Sequence, residues 1–202
     1  MDTQSSPSSD TYEVTTESDV MVAMRDGVRL ATDVHRPITD YLRAVAADLA
    51  SRTPAAGVGV IGMCFTGGFA LAVAVEESVL AAVASQPAVP FPVGRARRID
   101  PGLSTSELER VAARAAAGEV CAIGLRFSED GASPRPRFDA LKARLGDAFE
   151  IIELDSSPGN AGGFARNAHS VLTQEVREVP GNQALAARER VVDFLRERLN
   201  AV

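Results

Sequence analysis

The stretch VGVIGMCFTGGFALAVAV, residues 58–75, constrains this chain more than any other. A β-branched apolar run climbs to Gly62, a cysteine follows at Cys64, and Gly67 and Gly68 lead into an alanine-rich segment. The run reads as a buried strand, and the residues from about Thr66 to Glu77 read as a helix. Glycines at 62 and 67 suit a tight strand-to-helix turn, where side chains would collide. A thiol at that bend has two readings. It is a nucleophile, or a small apolar residue filling a crowded corner.

The rest of the chain repeats the alternation. Short runs around Val20–Met24 and Val28–Val34 flank Asp26-Gly27, a hairpin signal, and Pro37 is read as closing the second strand. Residues 40–52 place Leu42, Val45, Ala46 and Leu49 on one face, which predicts a helix starting near Asp40. VLAAVASQPAVP is a buried strand ending in prolines, and Ser104 with Glu107 forms a capping-box pattern before a helix that closes at Gly118. Strand VCAIGLRF, helix RFDALKARLG, strand FEIIEL, a Gly/Asn/Ser-rich loop and a helix from about Gln183 to Leu199 complete it. The alternation predicts an α/β fold on a mainly parallel sheet flanked by helices, with an N-terminal β-hairpin.

Length and charge set the remaining bounds. The 202 residues suffice for one α/β domain and are too few for two. Residues 1–17 read as a disordered acidic tail and residues 18–202 as a single domain. Residues 1–20 hold five acids and no base, so the remainder carries 22 acids against 21 bases. That balance argues against nucleic acid or an anionic membrane as the main partner. No apolar run is long enough for a membrane span, and no signal peptide is apparent, which makes the cytoplasm the expected location. Two cysteines, Cys64 and Cys121, do not make a disulfide framework, and no Cys/His cluster has metal-ligand spacing. No cofactor is expected.

In open α/β sheets chemistry gathers at the carboxyl ends of the strands. Cys64, Asp130 and His169 each follow a strand, in the order nucleophile, acid, histidine. An imidazole can take the thiol's proton, and a carboxylate behind it fixes the tautomer. Phe65, the residue after the cysteine, would offer its N–H as an oxyanion donor. Glu129 and Asp155 compete with Asp130 for the acid, and His35 is the only other histidine. The arginines of RARR, Arg95 to Arg98, read as a solvated face or a contact for an acidic substrate.

GMCFTGG, with LRFSEDGASPRPRFDAL and SPGNAGGFARNAHSVLT downstream, resembles the dienelactone hydrolase family of α/β-hydrolases over roughly residues 40–200. The resemblance implies a Cys64–Asp130–His169 triad that cleaves a small-molecule ester or lactone. One departure is Thr66, which stands where that family more often has glycine. The hairpin MVAMRDGVRLATDVHRP resembles the opening of the X-Pro dipeptidyl-peptidase and cocaine-esterase-like hydrolases, a serine-dependent branch of the same fold.

In a complete α/β-hydrolase two more strands and a helix follow the hairpin before the helix that precedes the elbow. Here the hairpin runs almost directly into that helix, so the sequence reads as a partial α/β-hydrolase fold. The strand VGVIGM is then left with an unpaired edge, an opening to homodimer formation. The absent segment also normally supplies the second oxyanion N–H. Two rival readings follow: a non-catalytic remnant acting as a binding or structural protein, and a thiol sensor in which Cys64 is oxidised.

Overall fold

A computed structural model describes residues 21–23, 29–31 and 35–199. The expected acidic tail and the Asp26-Gly27 turn lie outside the described residues. Strand β1 (Met21–Ala23) pairs antiparallel with β2 (Arg29–Ala31), with Val22 opposite Leu30. Helix α1 (His35–Arg52) begins earlier than the sequence suggested and takes Pro37 into its first turn. Proline is tolerated there because the first N–H groups of a helix have no intrahelical acceptor.

The elements that position the site follow in order. Strand β3 (Val58–Met63) leads through a 3₁₀ turn at Cys64–Thr66 into α2 (Gly67–Val73), and β4 is Val79–Ser85. Helix α3 (Gly94–Ile99), which the sequence reading did not foresee, precedes α4 (Thr105–Ala116). Then come β5 (Cys121–Phe127), α5 (Arg135–Leu145), β6 (Phe149–Leu154) and α6 (Gln183–Leu199). β3, β4, β5 and β6 form one parallel sheet in that spatial order. Among the described residues β3, the strand that leads to the cysteine, is therefore an edge.

Alternation along the strands divides the core into two layers. Ala82, Ala84 and Ala122 face Leu71, Val111, Phe138 and Leu141 from helices α2, α4 and α5. Ala81, Val83, Ile123 and Leu125 face Phe164, Val171, Val191 and Phe194, from the loop after β6 and from α6. Gly124 leaves space for two rings, since a Cβ there would stand 2.6 Å from Phe149 and 2.8 Å from Phe138.

Helix α2 ends at Val73 rather than near Glu77. Arg114 of α4 explains the early stop. Its guanidinium donates to the carbonyls of Ala74, Glu76, Glu77 and Val79, which fixes the turn into β4. The Ser104–Glu107 capping box forms as read: Glu107 N–H donates to Ser104 Oγ, and Ser104 N–H to Glu107 Oε2 at 2.8 Å. Among the described residues no helix is long and apolar enough to cross a membrane.

Candidate active site

Cys64 stands at the end of β3 with φ = +52°, a left-handed conformation rare for a residue with a side chain. Two glycines make that turn passable. A Cβ on Gly62 would sit 2.1 Å from Thr66 O, and one on Gly67 would sit 2.7 Å from Pro87 Cα. The elbow is also tied to the loop after β4, because Ala88 N–H donates to Cys64 O at 3.0 Å. The strand end, the strained residue and the immediate helix start together present the thiol at the carboxyl end of the sheet. β3 is not, however, the buried strand the sequence suggested: only Val58 and Gly62 are buried, and Ile61 and Met63 are exposed.

Asp130 follows β5 and is almost fully buried. Its two oxygens have separate duties. Oδ1 accepts from the N–H groups of Ala132 at 3.0 Å and Ser133 at 3.3 Å, while Oδ2 lies 2.7 Å from His169 Nδ1. Arg126 clamps the loop that carries Asp130. Its guanidinium donates to Ser128 O and Ser133 O on either side of the aspartate, and it pairs with Glu153.

The rival acids are engaged elsewhere. Glu129 pairs with Arg166 at 3.2 Å, and Asp155 accepts from Ser157 N–H at 2.8 Å. The Ser157 hydrogen bonds, side chain then backbone, hold the Asp155 carboxyl below its usual range.

His169 sits in the long loop after β6, pinned on both flanks by buried Ala168 and Val171. Earlier in the loop, Asn160 donates to Ser157 O and Phe164 O and accepts from Phe164 N–H. Phe164 then packs on Phe127, with ring centroids 4.9 Å apart. The glycine-rich SPGNAGG is thus a folded loop that places a histidine. Arginines 95 and 98 are exposed on α3 and do not line the pocket that holds Cys64 and His169.

Cys64, Asp130 and His169 line one open pocket of about 360 Å³, together with Ala88, Phe91, Glu129, Gly131, Ala132 and Asn167. No hydrogen bond joins the thiol to another described group, so Cys64 and His169 share the pocket without direct contact between their polar atoms. A second concavity, of about 400 Å³ on the outer face of α6, is lined by Arg188, Glu189, Val192, Asp193 and Arg196 and holds no nucleophile or imidazole. Cys121 stands at the amino end of β5, away from the chemistry. Among the described residues no cluster of three His, Cys, Asp or Glu side chains could hold a metal ion.

Two residues unremarked in the sequence shape the wall opposite the histidine loop. Arg137 of α5 is completely buried, yet among the described residues its hydrogen bonds go to carbonyls rather than to a carboxylate. It donates to Pro87 O at 2.6 Å, to Pro90 O, and to Arg97 O at 3.0 Å, fastening the segment that holds Ala88 and Phe91. Burial pushes its guanidinium below the usual arginine value, and the charge of Asp100 opposes that shift. Gln86, buried with φ = +37°, accepts from Ser85 Oγ and from Val171 N–H at 3.4 Å. It links the post-β4 loop to the histidine loop. A charged residue four before Leu141, on the stripe α5 turns inward, was the available signal for Arg137.

The family model described as "Dienelactone hydrolase family" matches residues 10–199. Among curated proteins none matches the chain. A solved structure of a candidate dienelactone hydrolase from Klebsiella pneumoniae subsp. pneumoniae MGH 78578 superposes with a TM-score of 0.51 at 15% identity. The match covers 85% of this chain and 63% of that one. This chain therefore spans less than two thirds of that neighbour, and the likeness is one of fold.

Proposed function

Because the chain belongs to the dienelactone hydrolase family, we propose that it hydrolyses a small ester or lactone with the Cys64 thiolate as nucleophile. The observation that carries this reading is the 2.7 Å contact between Asp130 Oδ2 and His169 Nδ1 in a pocket that Cys64 also lines. A neutral imidazole that donates Nδ1–H to the carboxylate keeps its lone pair on Nε2, ready for a proton.

In the first half-reaction His169 Nε2 takes the thiol proton and Cys64 Sγ attacks the substrate carbonyl carbon. Charge develops on the carbonyl oxygen, where the Phe65 N–H serves as a donor. The tetrahedral adduct collapses, the C–O bond to the leaving group breaks, and His169 returns the proton to the departing alkoxide. Water then attacks the thioester with His169 as base, releasing the acid and restoring the thiol. For a lactone, alcohol and acid leave as one molecule.

The test is a burst assay with p-nitrophenyl acetate on the wild type, Cys64→Ala and His169→Ala. A nitrophenolate burst near one equivalent that both variants lose supports the triad. A folded wild type with no burst above the variants sinks it. One observation favours a second reading. The β3 edge, unpaired among the described residues, suits a non-catalytic member of the fold, a remnant that binds rather than cleaves. That remnant would show no burst and no rate above buffer.

A further inference from the structure

Resting on the reading of Cys64 as nucleophile, we infer that Thr66 is a positioning residue whose hydroxyl closes the cysteine turn and takes the place of a second strand neighbour, which β3 lacks among the described residues. β3 has a ladder neighbour on one side only among the described residues. At its last residue both main-chain polar groups are engaged by one side chain. Met63 N–H donates to Thr66 Oγ1 at 3.0 Å, and Thr66 Oγ1 donates to Met63 O at 2.9 Å. The hydroxyl uses one acceptor site and its single donor, so the exchange is complete.

Those two hydrogen bonds span the cysteine. Met63 and Thr66 bracket Cys64 and Phe65, so the bonds close a short ring around the residue held at φ = +52°. Such backbone strain persists only where the surroundings over-determine it. On the inner side, Ala88 N–H holds Cys64 O and Pro87 packs against Gly67. On the solvent side Thr66 makes the closing contact, and its residue is exposed. A glycine at this position would leave Met63 to water and the turn free to relax. Threonine here thus fits the open edge: where no described strand covers the nucleophile strand, a hydroxyl from the turn takes its last amide and carbonyl.

The experiment compares Thr66→Val, Thr66→Ala and Thr66→Ser with the wild type. The readout is the rate of iodoacetamide alkylation at Cys64, followed by peptide mass, with Cys121 as the internal reference. Valine keeps the shape and alanine removes bulk, and neither can make the bonds; serine can make both. Valine and alanine are expected to slow Cys64 alkylation at least about threefold, a typical worth of such bonds, while serine stays within about twofold. Cys121 should be unchanged in all three. Valine or alanine reacting within threefold of wild type, or faster, overturns the proposal. So does serine falling with them, or Cys121 changing in parallel, which would mean general loosening. Should Cys64→Ala retain full p-nitrophenyl acetate hydrolysis, the nucleophile reading fails while the alkylation comparison still decides the role of Thr66.

Discussion

Asp130 meets His169 through Oδ2 at 2.7 Å while its other oxygen is held by the amides of Ala132 and Ser133. The carboxylate is therefore fixed before it meets the imidazole, and the ring inherits that orientation. Asp130→Asn can keep the amide contacts through its carbonyl oxygen and then presents NH₂ to His169, which favours the wrong tautomer. A loss in kcat on the order of 10³- to 10⁴-fold is expected, with the fold retained. Steady-state kinetics beside circular dichroism would check it; an Asn variant as active as wild type removes Asp130 from the mechanism.

Arg137 supplies a stability prediction. Replacing it with methionine leaves the carbonyls of Pro87, Pro90 and Arg97 without their buried donor. Each such loss costs about 1–3 kcal/mol, partly offset by no longer burying a cation, for a net loss of about 2–4 kcal/mol. Urea unfolding would measure it. Arg137→Lys should recover only part, because one ammonium cannot span carbonyls that a planar fork reaches together.

What the sequence made legible was periodic. Alternating β-branched runs and helical stripes gave the parallel sheet and its order of elements, and glycines 62 and 67 marked the elbow through the space they leave. Position after a strand did not by itself choose among Asp130, Glu129 and Asp155, since all three follow strands; the family resemblance is what pointed to Asp130. The choice turns on side-chain partners that strand ends do not reveal: Arg166, 37 residues from Glu129, Ser128 and the nearby Ser157 around Asp155, and Arg126 clamping the Asp130 loop from the end of β5. Helix α3 was hidden because prolines and arginines carry no apolar period, and its carbonyl contact comes from Arg137, far along the chain.

Glu107 gives a pH dependence with a definite sign. Its carboxyl is partly buried, which pushes it up, but hydrogen bonds from Ser104 and then Arg43 outweigh this and hold it below the ordinary 4.5. A carboxyl depressed on folding stabilises the protein above its unfolded value, and that contribution is lost as pH falls through the folded value. Thermal melts of wild type and Glu107→Gln should therefore differ most near pH 7 and converge as the pH drops below about 4.5. A gap that widens on acidification contradicts the assignment.

Gly67 is the sharpest packing test of the elbow. An added Cβ would stand 2.7 Å from Pro87 Cα and 2.8 Å from Pro87 Cβ, distances at which something must move. The flexible end of a side chain could swing away; proline backbone cannot, particularly with Pro87 O held by Arg137. The displacement would pass to Ala88, whose N–H holds Cys64 O, so the thiol shifts with it. Gly67→Ala is expected to destabilise the fold by about 1–3 kcal/mol, as overpacking does. It should also lower the acylation burst rate by at least tenfold, since small misplacement of a nucleophile is costly. Gly118→Ala is the control, because nothing lies within 4 Å of its added Cβ and only its positive φ opposes the change. That variant should lose comparable stability while keeping the burst rate, separating strain at the elbow from strain elsewhere. Equal burst rates in Gly67→Ala and wild type would show that the Pro87 contact does not govern the thiol's position.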